Sequence, residues 1–186
     1  MNARASLYQL WDFAIPAEAD SSQAWVLSAM KTHGPELVRL LWRILGCEQE
    51  VCDAYQETFL NLAHYRSGSK PENVKSYLFR TASNTAISIL RRKGRIKNGI
   101  QNYSKIKSSE QNSVQDFDHE QISQQLRNLV AKLPRHLQDV VLLREFGEMS
   151  YHKVARILNI TESTARVYRC KAVQLLAIWL NEEQTK

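Results

Sequence analysis

MSYHKVARILNITESTARVYRCKAVQLL, Met149 to Leu176, is the stretch whose reading decides the fold. Val154, Ala155 and Leu158 recur at helical spacing, Asn159-Ile160-Thr161 interrupts, and Ala165, Tyr168, Ala172, Leu175 and Trp179 resume one apolar stripe. The pattern predicts two helices across a tight turn, a helix-turn-helix. Ala155 is small enough for close helix crossing, Asn159 accepts the left-handed conformation of a tight turn, and Thr161 can cap the second helix. Away from the stripe lie Ser163, Arg166 and Cys170, flanked by Val167, Arg169 and Lys171. A charged helix face is ordinarily just hydrated. Here it coincides with the turn and the small crossing residue, so we expect it to enter a DNA major groove and pair with phosphates.

Upstream, Ile122, Leu126, Leu129, Val130 and Leu133 predict a helix, and Pro134 opens another that Leu137, Val140, Val141, Leu143 and Phe146 carry to a stop at Gly147. Residues 119–186 are thus expected to form one small helical domain. From Gly94 to about His119 the composition shifts to Asn, Gln, Ser and Lys, ending in Asp116-Phe117-Asp118. So long a polar stretch is uncommon inside a compact domain, and residues 96–118 are expected to be a flexible linker.

Residues 25–95 are expected to form the other domain. The helical pattern begins at Ser22, should break at His33-Gly34, and should restart at Pro35 with Leu37, Leu40, Leu41, Ile44 and Leu45 buried until Gly46. Glu48 to Tyr65 carries Val51, Tyr55, Thr58, Phe59 and Leu62 on one side and Asp53, Gln56 and Glu57 on another. Those carboxylates share their face with no histidine or third carboxylate, which disfavours acid/base or metal chemistry. A protein contact and a plain hydrated surface are the readings left. After a loop at Arg66 to Pro71, a helix from about Glu72 to Lys93 buries Val74, Leu78, Ala82, Ala86 and Ile89 and gathers Asn73, Tyr77, Arg80, Asn84 and Arg91 elsewhere. Tyr77 can stack on an unpaired base, Asn84 can bond a base edge, and Arg80, Arg91, Arg92 and Lys93 can pair with phosphates. The bland alternative is a half-buried tyrosine and a basic helix end favoured by the helix dipole. Residues 1–24 read as a loosely ordered arm. The whole is all-α: two small helical domains joined by a polar linker.

The formal charge of +6 suits a polyanionic partner without requiring one. No apolar run is long enough for a membrane span, and Met1 to Asp20 lacks the basic-then-apolar order of a signal peptide, so the cytoplasm is the expected location. Cys47, Cys52 and Cys170 form no CxxC pair and read as reduced thiols. Cys47, Cys52 and His64 match no common zinc-finger spacing. No P-loop, Rossmann glycine pattern, nucleophile elbow or zinc-protease helix occurs, so neither enzymatic activity, a cofactor nor a metal is expected.

These motifs together resemble the extracytoplasmic-function sigma factors of bacterial RNA polymerase. DAYQETFLNL, Asp53 to Leu62, is similar to the D-x-x-Q-E-x-F helix of that family's region two, and SYLFRTASNTAISILRRKGR, Ser76 to Arg95, to its promoter-binding helix. Leu133 to Ala172, with L-P, L-R-E, S-Y and T-A-R, is similar to region four. The resemblance implies a detachable subunit that binds core polymerase and directs initiation at promoters. It places Asp53, Gln56 and Glu57 against the clamp of the largest polymerase subunit. Asn84 matches the amide that captures an unpaired minus-ten base, with Tyr65 or Ser67 near the pocket and Tyr77 where many members carry tryptophan. Arg80, Arg91 and Arg92 flank that surface. Arg144, Ser163, Arg166, Val167, Cys170 and Lys171 fall on the surface facing minus-thirty-five DNA, and an anti-sigma factor is an implied further partner. Asn159 replaces a frequent glycine and Glu162-Ser163 a frequent apolar-glycine pair, so no target sequence is implied. The competing reading is a stand-alone helix-turn-helix regulator that uses the C-terminal domain alone.

Overall fold

The computed structural model describes residues 24–65, 70–103 and 114–184. Within them run α1 (Ala24–Leu45), α2 (Glu48–Ala63), α3 (Val74–Tyr103), α4 (Val114–Lys132), α5 (Arg135–Val141), a π-helical turn (Leu142–Phe146), α6 (Tyr151–Leu158) and α7 (Glu162–Gln184). No strand occurs among the described residues, and the all-α expectation holds. The arm at 1–24 lies outside them except for Ala24, as do Ser67 and the segment 104–113.

Helices α1 to α3 pack into an N-terminal bundle around Leu37, Leu40, Leu41, Ile44, Val51, Ala54, Leu62, Leu78 and Phe79, all nearly inaccessible to solvent. The expected break at His33-Gly34 does not occur: α1 runs straight through Pro35. Proline inside a helix removes one backbone bond and costs about 3 kcal/mol. Val26 and Ala29 before it and Leu37 and Leu40 after it are buried together in one core, and each buried aliphatic side chain returns about 1.5–3 kcal/mol. Gly46 ends the helix as expected, with φ +71° and its N–H donating to the Trp42 carbonyl at 2.8 Å. A Cβ there would also lie 3.0 Å from the Arg127 guanidinium. The positive φ is what favours glycine here, since the guanidinium is the end of a flexible side chain and could shift aside.

The polar stretch read as a linker from 96 to 118 is helical at both ends, since α3 continues to Tyr103 and α4 starts at Val114. Polar composition does not by itself stop a helix; between Lys93 and Tyr103 only Gly94 and Gly99 disfavour one, at about 1 kcal/mol each.

In the C-terminal bundle, Val140, Val141, Leu142 and Leu143 are four consecutive buried residues. No amphipathic helix buries four in a row, but this one is wrapped by α4, α7 and, at the π turn, α1. The π turn is the feature that periodicity did not reveal. It closes with the Gly147 N–H donating to the Leu142 carbonyl and the Met149 N–H to the Leu143 carbonyl. A Cβ on Gly147 would fall 2.6 Å from the Leu143 carbonyl oxygen, so close backbone approach explains this glycine. Buried Gln138 donates to the Val130 carbonyl at 2.8 Å and ties α5 to α4. Ser150 caps α6 through the Lys153 N–H. Asn159 then takes φ 56°, ψ 51°, the left-handed turn expected of it, and the Thr161 hydroxyl accepts from the Thr164 N–H at 3.1 Å to start α7.

The two bundles share one continuous core, with α3 crossing α4 and α6. Ser83 on α3 lies in it, 2% exposed, with its hydroxyl unpartnered. A buried, unsatisfied hydroxyl costs about 1–3 kcal/mol, and alanine is the better helix former. Ser83→Ala is therefore expected to raise unfolding stability by about 1 kcal/mol, read as a higher urea midpoint at unchanged slope; a lower midpoint refutes the assignment.

Candidate nucleic-acid and polymerase interfaces

On α7, Ala165, Ala172 and Leu176 turn inward. Ser163, Arg166, Val167, Cys170 and Lys171 are all exposed, so the five residues expected on one DNA-facing surface share the outer side of one helix. Val167 is 48% exposed between cations, where a solvated structural role would favour a polar residue and a thymine methyl favours an apolar one. Arg144 reaches the edge of this surface from the π turn. Its guanidinium donates to the Met149 carbonyl at 2.7 Å and lies 4.8 Å from the Tyr151 ring centroid. Arg166 lies over the same ring at 4.8 Å and within 3.4 Å of a Glu162 oxygen. Tyr151 thus orients two candidate DNA-contacting cations, a role that sequence periodicity did not disclose although the S-Y pair marked its position. Arg169 is held instead by Glu145 at 2.5 Å, and that hydrogen bond and charge push its already high pKa further up.

On the N-terminal bundle, the Tyr65 and Tyr77 rings meet edge to face, centroids 4.6 Å apart. The two aromatics assigned to the unpaired-base pocket, one just past the end of α2 and one near the start of α3, are thereby brought together. Arg80 and Asn84 sit one turn apart on α3, Arg80 exposed and Asn84 half-buried. Both line a cleft of about 300 Å³ with Arg135, His136, Asp139, Leu158, Ile160 and Tyr168. Burial raises the Asp139 carboxyl above the usual carboxylate range, while Arg135, Arg80 and His136 pull it back down.

The remaining cations of α3 divide. Arg91 donates from Nε to the Ala131 carbonyl at 2.9 Å, and Lys93 pairs with Glu50 at 2.6 Å, whereas Arg92 is exposed. Asn73, expected on the nucleic-acid face, caps the helix by accepting from the Ser76 N–H at 2.9 Å.

Asp53, Gln56 and Glu57 are exposed on α2, opposite Val51, Ala54, Thr58 and Leu62. Neither carboxylate is ion-paired among the described residues. One turn on, Leu60 continues the stripe at 59% exposure. A single exposed leucine is ordinary on a protein surface, and Leu60 escaped the sequence reading because it falls outside the periodic apolar stripe. No group of three histidine, cysteine or acidic residues among the described residues is placed to hold a metal, and no described helix is long and apolar enough to cross a membrane.

Comparison with known proteins supplies the family. The chain matches the model for Sigma-70 region 2 over residues 29–96 and that for Sigma-70, region 4 over residues 123–176. It is 23% identical over 139 residues to the ECF RNA polymerase sigma factor SigE of Mycolicibacterium smegmatis, covering 74% of this chain and 54% of that protein. It therefore spans about half the length of SigE. Against the RNA polymerase sigma factor SigV of Bacillus subtilis it is 21% identical over 165 residues, covering 88% of this chain and 95% of the relative. Among solved structures, CnrH in complex with the cytosolic domain of CnrY aligns over 96% of this chain and 97% of that one at 16% identity and a TM-score of 0.49. The sigma factor RpoE in complex with the anti-sigma factor NepR from Bartonella quintana aligns over 83% and 95% at 18% identity and a TM-score of 0.46. Two matched regions of one family, in order along a single chain and spanning most of it, identify this protein as a member of the sigma-70 family, an extracytoplasmic-function sigma factor.

Proposed function

We propose that the chain acts as a specificity subunit of RNA polymerase: it docks on core polymerase through Asp53, Gln56 and Glu57, captures the minus-ten strand on α3, and reads minus-thirty-five duplex with α7. The observation that carries this reading is the presence in one chain of two DNA-suited surfaces of different chemistry. The Tyr65–Tyr77 pair with Arg80 and Asn84 offers rings, an amide and a cation, which suit an unstacked base. The α7 face offers a narrow helix with exposed Arg166, Val167 and Lys171, which suits a groove. A regulator that only binds duplex has use for the second and none for the first. The chain supplies binding and strand capture, and the polymerase it recruits supplies the chemistry. The domains take residues 25–95 and 119–186, an anti-sigma factor is the regulatory partner of this reading, and the cytoplasm is its place of action.

Run-off transcription with core polymerase on genomic fragments, with start sites mapped, tests the reading directly; binding as a dimer to a twofold operator without core would replace it by the stand-alone regulator. Three variants divide the roles. Lysine at both Asp53 and Glu57 should abolish co-purification with core polymerase, since like charges across an interface cost several kcal/mol, while thermal stability stays within about 0.5 kcal/mol because both sites are exposed. Asn84→Ala should leave recruitment largely intact and impair strand opening, so normal permanganate reactivity in the variant defeats the base-capture role. Arg166→Ala should weaken minus-thirty-five duplex binding by about 1–3 kcal/mol if it reads a base, with selectivity relaxed at one position. A uniform loss across sequences with a shallower salt dependence would make it a phosphate contact, and no loss would remove it from the interface.

A further inference from the structure

Near its start, the outer side of α7 carries an acidic residue among its cations. Glu162 is the first residue of the helix, and Arg166 stands one turn further along the same edge. A carboxylate at a helix N-terminus ordinarily serves the helix dipole and points to solvent. Here both oxygens are taken. Oε1 accepts from Nδ1 of His152 on α6 at 3.2 Å, and Oε2 accepts from Nη2 of Arg166 at 3.4 Å. Arg166 in turn rests on the Tyr151 ring, 4.8 Å from its centroid. A carboxylate is thus held from two helices beside a cation assigned to DNA reading, at the end of a recognition helix that meets base edges.

In that position a carboxylate discriminates. Phosphates repel it, and a groove edge that offers only acceptors, such as O6 and N7 of guanine or O4 of thymine, would leave it desolvated without a donor. An exocyclic amine, N4 of cytosine or N6 of adenine, satisfies it. Residues four apart on a helix face stand about 5–6 Å from one another at Cβ. Stacked base pairs are only about 3.4 Å apart, so Glu162 and Arg166 reach different base pairs. Their own pairing joins side chains 43% and 60% exposed, and so open an ion pair is weak enough to be exchanged for base edges.

We propose that Glu162 is a specificity-determining residue of the minus-thirty-five interface: it accepts from the amine of a cytosine or adenine at a base pair other than the one Arg166 reads, and it rejects guanine and thymine there. His152 positions the carboxylate. The proposal rests on the DNA-reading role of α7 given above. It adds a residue that acts by exclusion, weakening contact with DNA in general while separating one class of base from the other.

Selection from duplexes randomised across the minus-thirty-five element, with the full chain assembled on core polymerase, tests it. The parent is expected to favour cytosine or adenine at a position whose preference survives Arg166→Ala. Glu162→Gln keeps the size of the side chain and replaces one acceptor by a donor, so it tolerates either class of base. In that variant the preference should fall several-fold at this position alone, the preference that depends on Arg166 should remain, and binding to unselected duplex should strengthen several-fold. His152→Ala should weaken the same preference and no other, and should add nothing in the Glu162→Gln chain, a pattern that a merely structural histidine would not give. Unchanged preferences in Glu162→Gln, or an equal loss at every position as expected of a loosened helix start, overturn the assignment and leave the reading of α7 standing. A parent chain that assembles with core and selects no sequence overturns both.

Discussion

The burial of α3 on nearly every side is the constraint from which the other features follow. Leu78, Phe79, Ala82, Ala86, Ile87, Ile89 and Leu90 are all buried, and they cover more of the helix circumference than one partner can seal. Helices α1 and α2 take one side, α4 and α6 the other. Between Val74 and Leu90 only Arg80 and Ser88 are fully exposed, with Asn84 half covered beside them, and the helix opens to solvent further on at Arg91, Arg92, Lys93 and Arg95. A helix so enclosed has few positions for chemistry, and those positions inherit a rigid backbone. Rigidity of that kind suits base capture, because a side chain that reads an extruded base must hold its geometry while the strand orders around it.

The recognition helix is built on the opposite plan. Ala165, Ala172 and Leu176 of α7 are buried, Tyr168, Leu175, Trp179 and Leu180 are half-buried against the core, and the opposite side of the helix is open. Its orientation is set at its start by the left-handed Asn159, the Thr161 cap and the Tyr151 ring, against which Arg144 and Arg166 both rest. A guanidinium stacked on an aromatic face keeps its charge while losing rotamer freedom before DNA arrives, which lowers the ordering cost of the contact. One surface is therefore stiffened by enclosure and the other by local caps and stacking.

Much of this was legible in the sequence, because local chemistry dictated it. Asn159, Thr161 and Gly46 are positions where a single backbone conformation or cap decides the outcome, and each was read correctly. The misreadings came where a distant element overrode local preference. Pro35 signalled a helix start, but the shared burial of residues before and after it keeps α1 whole. Leu137, Val140, Val141, Leu143 and Phe146 read as one ordinary helix ending at Gly147, and only the elements packed around it account for the buried run Val140 to Leu143 and the π turn. The candidate sites followed the same division. Which side chains share a face could be read from spacing, so Asp53, Gln56 and Glu57 emerge together on α2 and the α7 residues on its outer side. What lies opposite a face could not, so the commitment of Arg91 to the Ala131 carbonyl and the cover over Asn84 came only with the fold.

The contact between the two bundles rests on burial more than on charge. The Arg43–Glu148 pair joins side chains 40% and 70% exposed, and a surface ion pair is worth about 0–1 kcal/mol. Val130 on α4, Val154 and Ile157 on α6 and Leu78, Phe79 and Leu90 on α3 are by contrast buried in one core, and each buried aliphatic side chain is worth about 1.5–3 kcal/mol. Apolar packing of α3 against α4 and α6 therefore outweighs the directional bonds that accompany it.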